Sequence, residues 1–489
     1  MLWICLLICL SLTACGGGGG SPAEPTSSLQ SIGAAVTPTS SVAALPAAAA
    51  IPAAPAAAPA DSSTPAVAAT SLSLQPPSLP RAALTAGELA VVIAEGDATS
   101  EAIALAYQRA RGIPDAHMIR VRMPTGADAI SAADFALLKA AIDAKLPAAV
   151  QATLLTFNSP SRVQGASCTM GITSAMAFGY DARWCGQCSR TQASSYYDSD
   201  STRPWSELGL RPSMMLGAST LAAAQALIDR GVAADGSQPA GTGYLVRTTD
   251  SARSVRFPDF QLLPAAWSEA PALALRYVDA SAAGSAQTIT SADDVLFHFT
   301  GLAQVAQIAS NRYLPGAVAD HLTSFGGLLP AGNGQMPITA WLTAGATASF
   351  GTVEEPCNYT EKFAKVSVLI DHYLRGATLI EAYWKSVAWP GQGLFVGEPL
   401  ARPWPDAAQA VIEGSELVIR TRSLRRHGQY RVEHRASAAD SWRTLAALSA
   451  GQPRLLTWRV PLPTGGGELR WVGPCATQPA QTCTLGLAS

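Results

Sequence analysis

The stretch from Glu88 to Arg122 constrains the fold more than any other part of the chain. Leu89-Ala-Val-Val-Ile-Ala94 is an unbroken apolar run with no alternation, the pattern of a strand buried on both faces. Glu95-Gly96-Asp97 then turns the chain. Ser100 with Glu101 opens a segment in which Ile103, Ala106, Tyr107 and Ala110 recur at helical spacing. Arg111-Gly112-Ile113-Pro114 ends that helix with glycine followed by proline, and Met118-Ile-Arg-Val-Arg122 reads as the next strand. A strand, a helix and a second strand in about 35 residues are a β-α-β unit, which demands a parallel sheet with helices over its faces.

The pattern repeats down the chain. Helices are expected over 132–146, 221–231, 362–374 and 380–387, and strands over 152–157, 242–248, 294–300 and 346–353, with a helix or strand starting at Pro337. Residues 86–404 therefore read as an α/β body built on a parallel sheet with flanking helices. After Pro403-Trp404-Pro405 the character changes. Segments 410–421, 428–434, 441–448, 455–460 and 469–472 alternate apolar and polar residues, so 405–489 reads as a small antiparallel β-sandwich. The Arg422, Arg425, Arg426, His427 cluster reads as a solvated turn. With 489 residues the chain is long enough for a large core. Its 33 Lys and Arg nearly cancel 35 Asp and Glu, a net charge of −2 that leaves no basic field for nucleic acid.

The N-terminus speaks to location. Leu2 to Leu12 is apolar but too short to span a bilayer, and it runs into Leu12-Thr13-Ala14-Cys15 and five glycines. This resembles the lipobox of bacterial lipoproteins, although no Lys or Arg precedes the apolar run. The resemblance implies that 1–14 is a cleaved signal peptide and that Cys15 carries the lipid and becomes the new N-terminus. Residues 15–85, rich in Ala, Pro, Ser and Thr, then form a disordered tether. The expected setting is the bacterial cell envelope, with the lipid in a membrane, the outer membrane foremost, and the folded part in the periplasm or at the cell surface.

Five further segments carry a second resemblance. They are Ala106-Tyr-Gln-Arg-Ala-Arg-Gly-Ile-Pro114, Leu155-Thr-Phe-Asn-Ser-Pro-Ser-Arg162, Tyr313 to Gly327 with its Leu-Pro-Gly-Ala, Leu342 to Pro356 with its Ala-Ser-Phe-Gly, and Leu394-Phe-Val-Gly-Glu-Pro-Leu400. In this order they resemble an uncharacterised family of bacterial exported proteins. More distantly, the layout is similar to the caspase/gingipain class of cysteine peptidases, which implies a caspase-like sheet with a His after one core strand and a Cys after the next. The chain departs from that pattern at both places. Phe297-His298-Phe299-Thr300-Gly301 continues with Leu302 where the class presents His-Gly, and the following loop offers Ser324 instead of Cys. A Cys–His dyad works because the imidazole holds the attacking thiolate, and neither partner is in place. The expected function is thus a peptidase-like binding protein without catalysis, taking a protein, peptide or glycan ligand. An envelope hydrolase using Ser324 or residues not identified in the sequence, and a structural or export-associated surface protein, are the competing readings.

Asp320, His321 and Ser324 are the weak catalytic candidates. Read as part of a capped helix end, His321 and Ser324 are three residues apart on one element, whereas triads draw their members from separate elements. Gly326-Gly327 would offer backbone donors to an oxyanion. Glu354, Glu355 and Arg162 are the candidate binding residues, the two glutamates because they follow an apolar strand at the edge where open sheets place ligand groups. His298, inside a buried strand, reads as a core histidine. Cys185-Gly-Gln-Cys188 has the spacing of a redox motif but lacks the helix that would lower a thiol pKa. Beyond Cys15, six cysteines suit an oxidising compartment. Cys475 with Cys483 is the expected local pair. Cys168, Cys185, Cys188 and Cys357 leave three pairings open, with a four-Cys zinc site as the alternative. No cofactor and no bound metal are expected.

Overall fold

The computed structural model describes residues 73–81, 83–124, 127–268 and 272–487. The signal segment, Cys15 and the tether up to residue 72 lie outside these residues. Strand β1 (Leu89–Ala94) is buried at every position, as its unbroken apolar run requires. Helix α1 (Ala98–Arg111) begins where the Asp97 carboxylate accepts from the backbone N–H groups of Thr99 and Ser100. It ends at Gly112, whose φ of 66° lies in the left-handed region that favours glycine. Strand β2 (Met118–Val121) then pairs parallel with β1.

The chain continues through β3 (Ala129–Ser131), α2 (Ala132–Asp143), β4 (Ala152–Leu155), a hairpin of β5 (Arg162–Gln164) and β6 (Thr169–Gly171), α3 (Ile172–Phe178), α4 (Pro204–Leu208), β7 (Ser213–Met215) and α5 (Leu221–Ala234). It then forms β8 (Gly241–Arg247), α6 (Phe257–Ala266), β9 (Leu273–Asp279), β10 (Val295–Thr300) and β11 (Tyr313–His321). Next come α7 (Thr339–Ala344), β12 (Ala348–Thr352), α8 (Val366–Leu374), α9 (Leu379–Ser386) and β13 (Gly393–Gly397).

Ten of these strands make one sheet in the order β2-β1-β4-β7-β13-β12-β11-β10-β8-β9. Neighbours are parallel throughout except β12 and β13, which are antiparallel. The sheet is therefore two parallel halves of opposite direction joined at that seam. Each half, β2-β1-β4-β7-β13 and β9-β8-β10-β11-β12, has its strands in the doubly wound order 2-1-3-4-5. The last strand of the body, β13, crosses back to complete the first half. Two separated motifs meet there. The Tyr107 hydroxyl donates to Glu398 Oε1 at 2.7 Å, and Arg111 reaches the same carboxylate through Nε at 2.9 Å and Nη2 at 2.7 Å. Glu398 is fully buried, so this triple contact clamps α1 to the turn after β13.

Beyond the body, β14 (Gln409–Glu413), β15 (Glu416–Thr421), β16 (Gln429–Arg435), β17 (Arg443–Ser449), β18 (Leu456–Pro461), β19 (Glu468–Pro474) and β20 (Thr482–Leu487) form two antiparallel sheets, β14-β15-β18 and β17-β16-β19-β20. Leu417, Ile419 and Val460 from one sheet and Val432, Leu469 and Trp471 from the other share one apolar core. Within the stretch read as tether, Leu74 and Leu79 pack on that core, and buried Leu84 donates its backbone N–H to Glu381.

The Arg422–His427 cluster is not a solvated turn throughout. Arg425 reaches Asp200 through Nε at 2.9 Å and Asp198 through Nη1 at 3.0 Å, and Arg375 meets the same Asp200 at 2.6 Å. Residues 313–321, read as leading into a helix end, are instead a nine-residue strand. Among the described residues, no helix is long and apolar enough to cross a membrane.

Candidate functional site

In a doubly wound half, ligands sit beyond the C-terminal strand ends. In the second half that edge is formed by the segments after β8, β10, β11 and β12, where the sequence candidates fall. After β10 the edge is filled. Gly301 lies so close to the loop after β8 that a Cβ on it would come within 2.0 Å of the Arg253 carbonyl oxygen. Thr248 Oγ1 donates to the Gly301 carbonyl at 2.7 Å. Leu302 packs against an apolar cluster that includes Val305 and Met336.

Asp320 and His321 are successive residues of β11, so they project to opposite faces of the sheet. On one face, buried Asp320 accepts from Arg256 Nη2 at 2.6 Å and from the Tyr383 hydroxyl at 3.0 Å. On the other, Trp341 Nε1 donates to His321 Nδ1 at 2.9 Å, which assigns the proton to Nε2, and Nε2 donates to the Met336 carbonyl at 3.0 Å. Both ring nitrogens are thus engaged. Burial pushes the His321 pKa down to about 3, and the Arg256 and Arg253 charges act in the same direction. Ser324 is half-buried just beyond the strand, and its carbonyl accepts from Thr352 Oγ1 at 2.9 Å. The Gly327 N–H donates to the Thr352 carbonyl at 2.9 Å and is spent. Asp320, His321 and Ser324 therefore do not form a catalytic trio, and Gly327 is not an oxyanion donor. His298 is a core residue as expected, with Nδ1 3.2 Å from the Tyr313 hydroxyl.

Glu354 and Glu355 follow β12 and bind their own chain. Glu354 accepts from the backbone N–H of Thr169 at 3.0 Å and of Gln187 at 3.2 Å, while Glu355 accepts from that of Cys357 at 2.9 Å. Burial raises the Glu354 pKa against these hydrogen bonds. Lys362, almost fully buried, donates to the Gln187 carbonyl, and burial lowers its pKa to about 8 although Glu354 and Glu355 pull it upward. Disulfides hold this corner, joining Cys168 to Cys185 and Cys188 to Cys357, with Cys475 to Cys483 in the C-terminal sheets. The two cysteines of the redox-spaced motif thus pair outward, and the four-Cys zinc alternative is overturned because all four sulfurs are bonded. Cys188, Glu355 and Cys357 bring their ligand atoms within 4.8 Å, but two of those atoms are one disulfide. Arg162 is not part of this corner. It pairs with Gly171 at the opposite end of the β5–β6 hairpin from Thr169, and its Nη1 lies 3.4 Å from the Asp128 carbonyl.

The open space at this edge is a cavity of about 330 Å³ between the start of α6 and the segment before α8. Val255, Pro258, Phe363 and Ala364 give it apolar walls. Tyr197, Asp259, Glu361 and Lys365 supply polar groups, and Arg256 lies against it while holding Asp320. Burial, helped by nearby Asp198, Asp259 and Glu361, pushes the Tyr197 hydroxyl up to about 12, so it stays a neutral donor at pH 7. Sequence reasoning missed Arg256, Tyr383, Trp341 and Lys362, which lie outside any motif and gain their roles only through contacts 20 to 175 residues away along the chain. Such a cavity can hold a ligand by hydrogen bonds and apolar contact, and no nucleophile–base pair lines it.

Comparison of the chain with protein-family models, curated proteins and solved structures finds no match. What the fold defines is a mixed α/β protein with a large, mostly parallel ten-stranded sheet and additional antiparallel sheets.

Proposed function

We propose that this chain is a lipid-anchored protein of the cell envelope whose caspase/gingipain-like body binds a protein, peptide or glycan ligand without cleaving it. The observation that carries the reading is His321. It is the histidine nearest the candidate nucleophile in sequence, yet both of its nitrogens are bonded to the protein's own groups and burial keeps it neutral. It has no lone pair left to accept a proton from Ser324. Leu302 in its apolar cluster adds to this, since an aliphatic side chain stands where the dyad histidine would act. The cavity beside Arg256 supplies the binding space, with apolar walls and a few polar groups.

The test uses the full chain purified in detergent, incubated with serine- and cysteine-directed activity probes and with a peptide library. The expected result is no labelling and no cleavage, together with retention on a peptide or glycan array that is weakened by Phe363→Ala. Cleavage that disappears in Ser324→Ala would overturn the non-catalytic reading. Anchoring is tested separately: Cys15→Ser should move the protein from the membrane fraction to the soluble one.

A further inference from the structure

A second cavity, of about 390 Å³, lies at the other half of the sheet, beyond the C-terminal ends of β4 and β7. One wall is a single stripe of α5, Ala223, Ala226, Leu227 and Arg230, at the spacing that puts residues on one helix face. Thr339, Leu342 and Thr343 of α7 form the facing wall. Helix α5 carries the chain from the first half of the sheet to the second, so the cavity sits at their junction. Gly217 on its floor has a φ of 77°, and a Cβ there would come within 3.0 Å of Leu342 and 3.1 Å of Val396, so the floor is closed by bare backbone.

The charge in this cavity is unbalanced. Among the described residues, Arg230 is the only charged one that lines it, and no ion pair includes it. Its Nη2 donates to the carbonyls of Leu342 at 2.9 Å and Ala346 at 3.2 Å, which fixes the guanidinium in place, while its Nε is buried with no partner. Burial alone lowers its pKa, with no carboxylate opposing. Arg230 is half-buried, and a guanidinium cannot escape by losing its proton, so the desolvation it suffers without a counter-charge is relieved by an anion that enters the cavity. Arg111, Arg256 and Arg375 each meet a carboxylate within 2.7 Å, whereas Arg211 and Arg402, like Arg230, bond to backbone carbonyls and take part in no ion pair among the described residues; Arg230 differs from those two in lining this cavity. Asn158, Ser159, Ser219 and Thr343 add hydrogen-bonding groups at the same cavity.

We propose that this cavity binds a small organic anion, its carboxylate or phosphate group against Arg230 and its apolar body against Leu227 and Leu342. The site is independent of the ligand cavity beside Arg256. It is tested by isothermal titration of the full chain, in detergent and chloride buffer, with benzoate, phenyl phosphate and the neutral benzamide. Binding of benzoate or phenyl phosphate without binding of benzamide supports the proposal, and whichever anion binds identifies the headgroup. Arg230→Gln should weaken that binding by about ten- to a hundredfold, the worth of one charge-assisted hydrogen-bonded pair. Because Arg230 also holds two carbonyls, Ala226→Trp serves as the second variant. It fills the cavity from an exposed helix position, and it should abolish binding while leaving the circular dichroism spectrum and melting temperature unchanged. Failure of both anions to bind at millimolar concentration, or equal affinity in the parent and both variants, would overturn it.

Discussion

Asp200→Asn removes one negative charge from the contact between the body and the C-terminal sheets while keeping the side-chain shape. The Asp200 carboxylate accepts from Arg375 Nη2 at 2.6 Å and from Arg425 at 2.9 Å and 3.1 Å, and the side chains of Asp200, Arg375 and Arg425 are 19%, 6% and 14% exposed. Arg375 retains Asp371 and Arg425 retains Asp198, so neither is left wholly unpaired. Asparagine would nonetheless turn an amide N–H towards guanidinium groups or leave one unmet. Breaking a buried pair of this kind costs about 3–5 kcal/mol, and the remaining partners place the expected loss near the lower end, about 3 kcal/mol at pH 7. The pH dependence is the sharper signature. Burial works against the charge on Asp200, but Arg375 and Arg425 outweigh it and hold its pKa below the usual carboxylate range. A depressed carboxylate contributes stability that is fully present above its unfolded pKa of about 3.9 and lost as pH falls through the folded value. Urea unfolding followed by tryptophan fluorescence should therefore give a parent–variant gap that is constant from pH 7 to about pH 5 and closes below pH 4. A gap under about 1 kcal/mol at pH 7, or one that persists undiminished at pH 3, would refute the reasoning.

Burial pushes His321 and His298 down to about 3, against about 6.5 in the unfolded chain, so each contributes stability that is present above pH 6.5 and lost as pH falls towards 3, at about 1.4 kcal/mol per pH unit. Nitrogen-detected NMR should show both rings neutral at pH 4.5, His321 as the Nε2–H tautomer, and a ring titrating near 6.5 would contradict the contacts. Trp341→Phe, which leaves His321 Nδ1 without its donor, should cost about 1–3 kcal/mol in the same unfolding assay. Cys188 and Cys357 are 169 residues apart and Cys475 and Cys483 only 8, so chain-entropy estimates predict losses of about 5 and about 2.5 kcal/mol for the two double serine variants, an order checked by thermal unfolding. Glu354→Gln removes a charge that supports protonated Lys362, so the Lys362 pKa of about 8 should fall further, as read by NMR after reductive methylation.

Strands buried on both faces were legible because they must be apolar throughout. β1, β4 and β10 show this in 89–94, 152–155 and 295–300, each fully buried. Near the seam only β12 was, inside the expected 346–353. β7 is three residues long, β13 five, and β11 carries Pro315, Gly316, Asp320 and His321, a composition that reads as loop or helix cap. Asp320 and His321 can lie in a central strand only because Arg256, Tyr383 and Trp341 satisfy them, and those partners come from three other elements. The candidate site failed for the same reason: proximity along the chain suggested a trio that the period of two in a strand splits between faces.

Local chemistry was enough to specify the β-α-β units, the helix stops, the change to short alternating strands after Pro405 and the Cys475–Cys483 staple, because each depends on residues within about a dozen positions. The antiparallel seam between β12 and β13, the outward pairing of Cys185 and Cys188, the burial of Arg425 and the uncompensated charge of Arg230 were decided by tertiary packing. Each joins groups far apart in sequence, and a side chain's charge state, partner and reachable space are properties of everything folded around it.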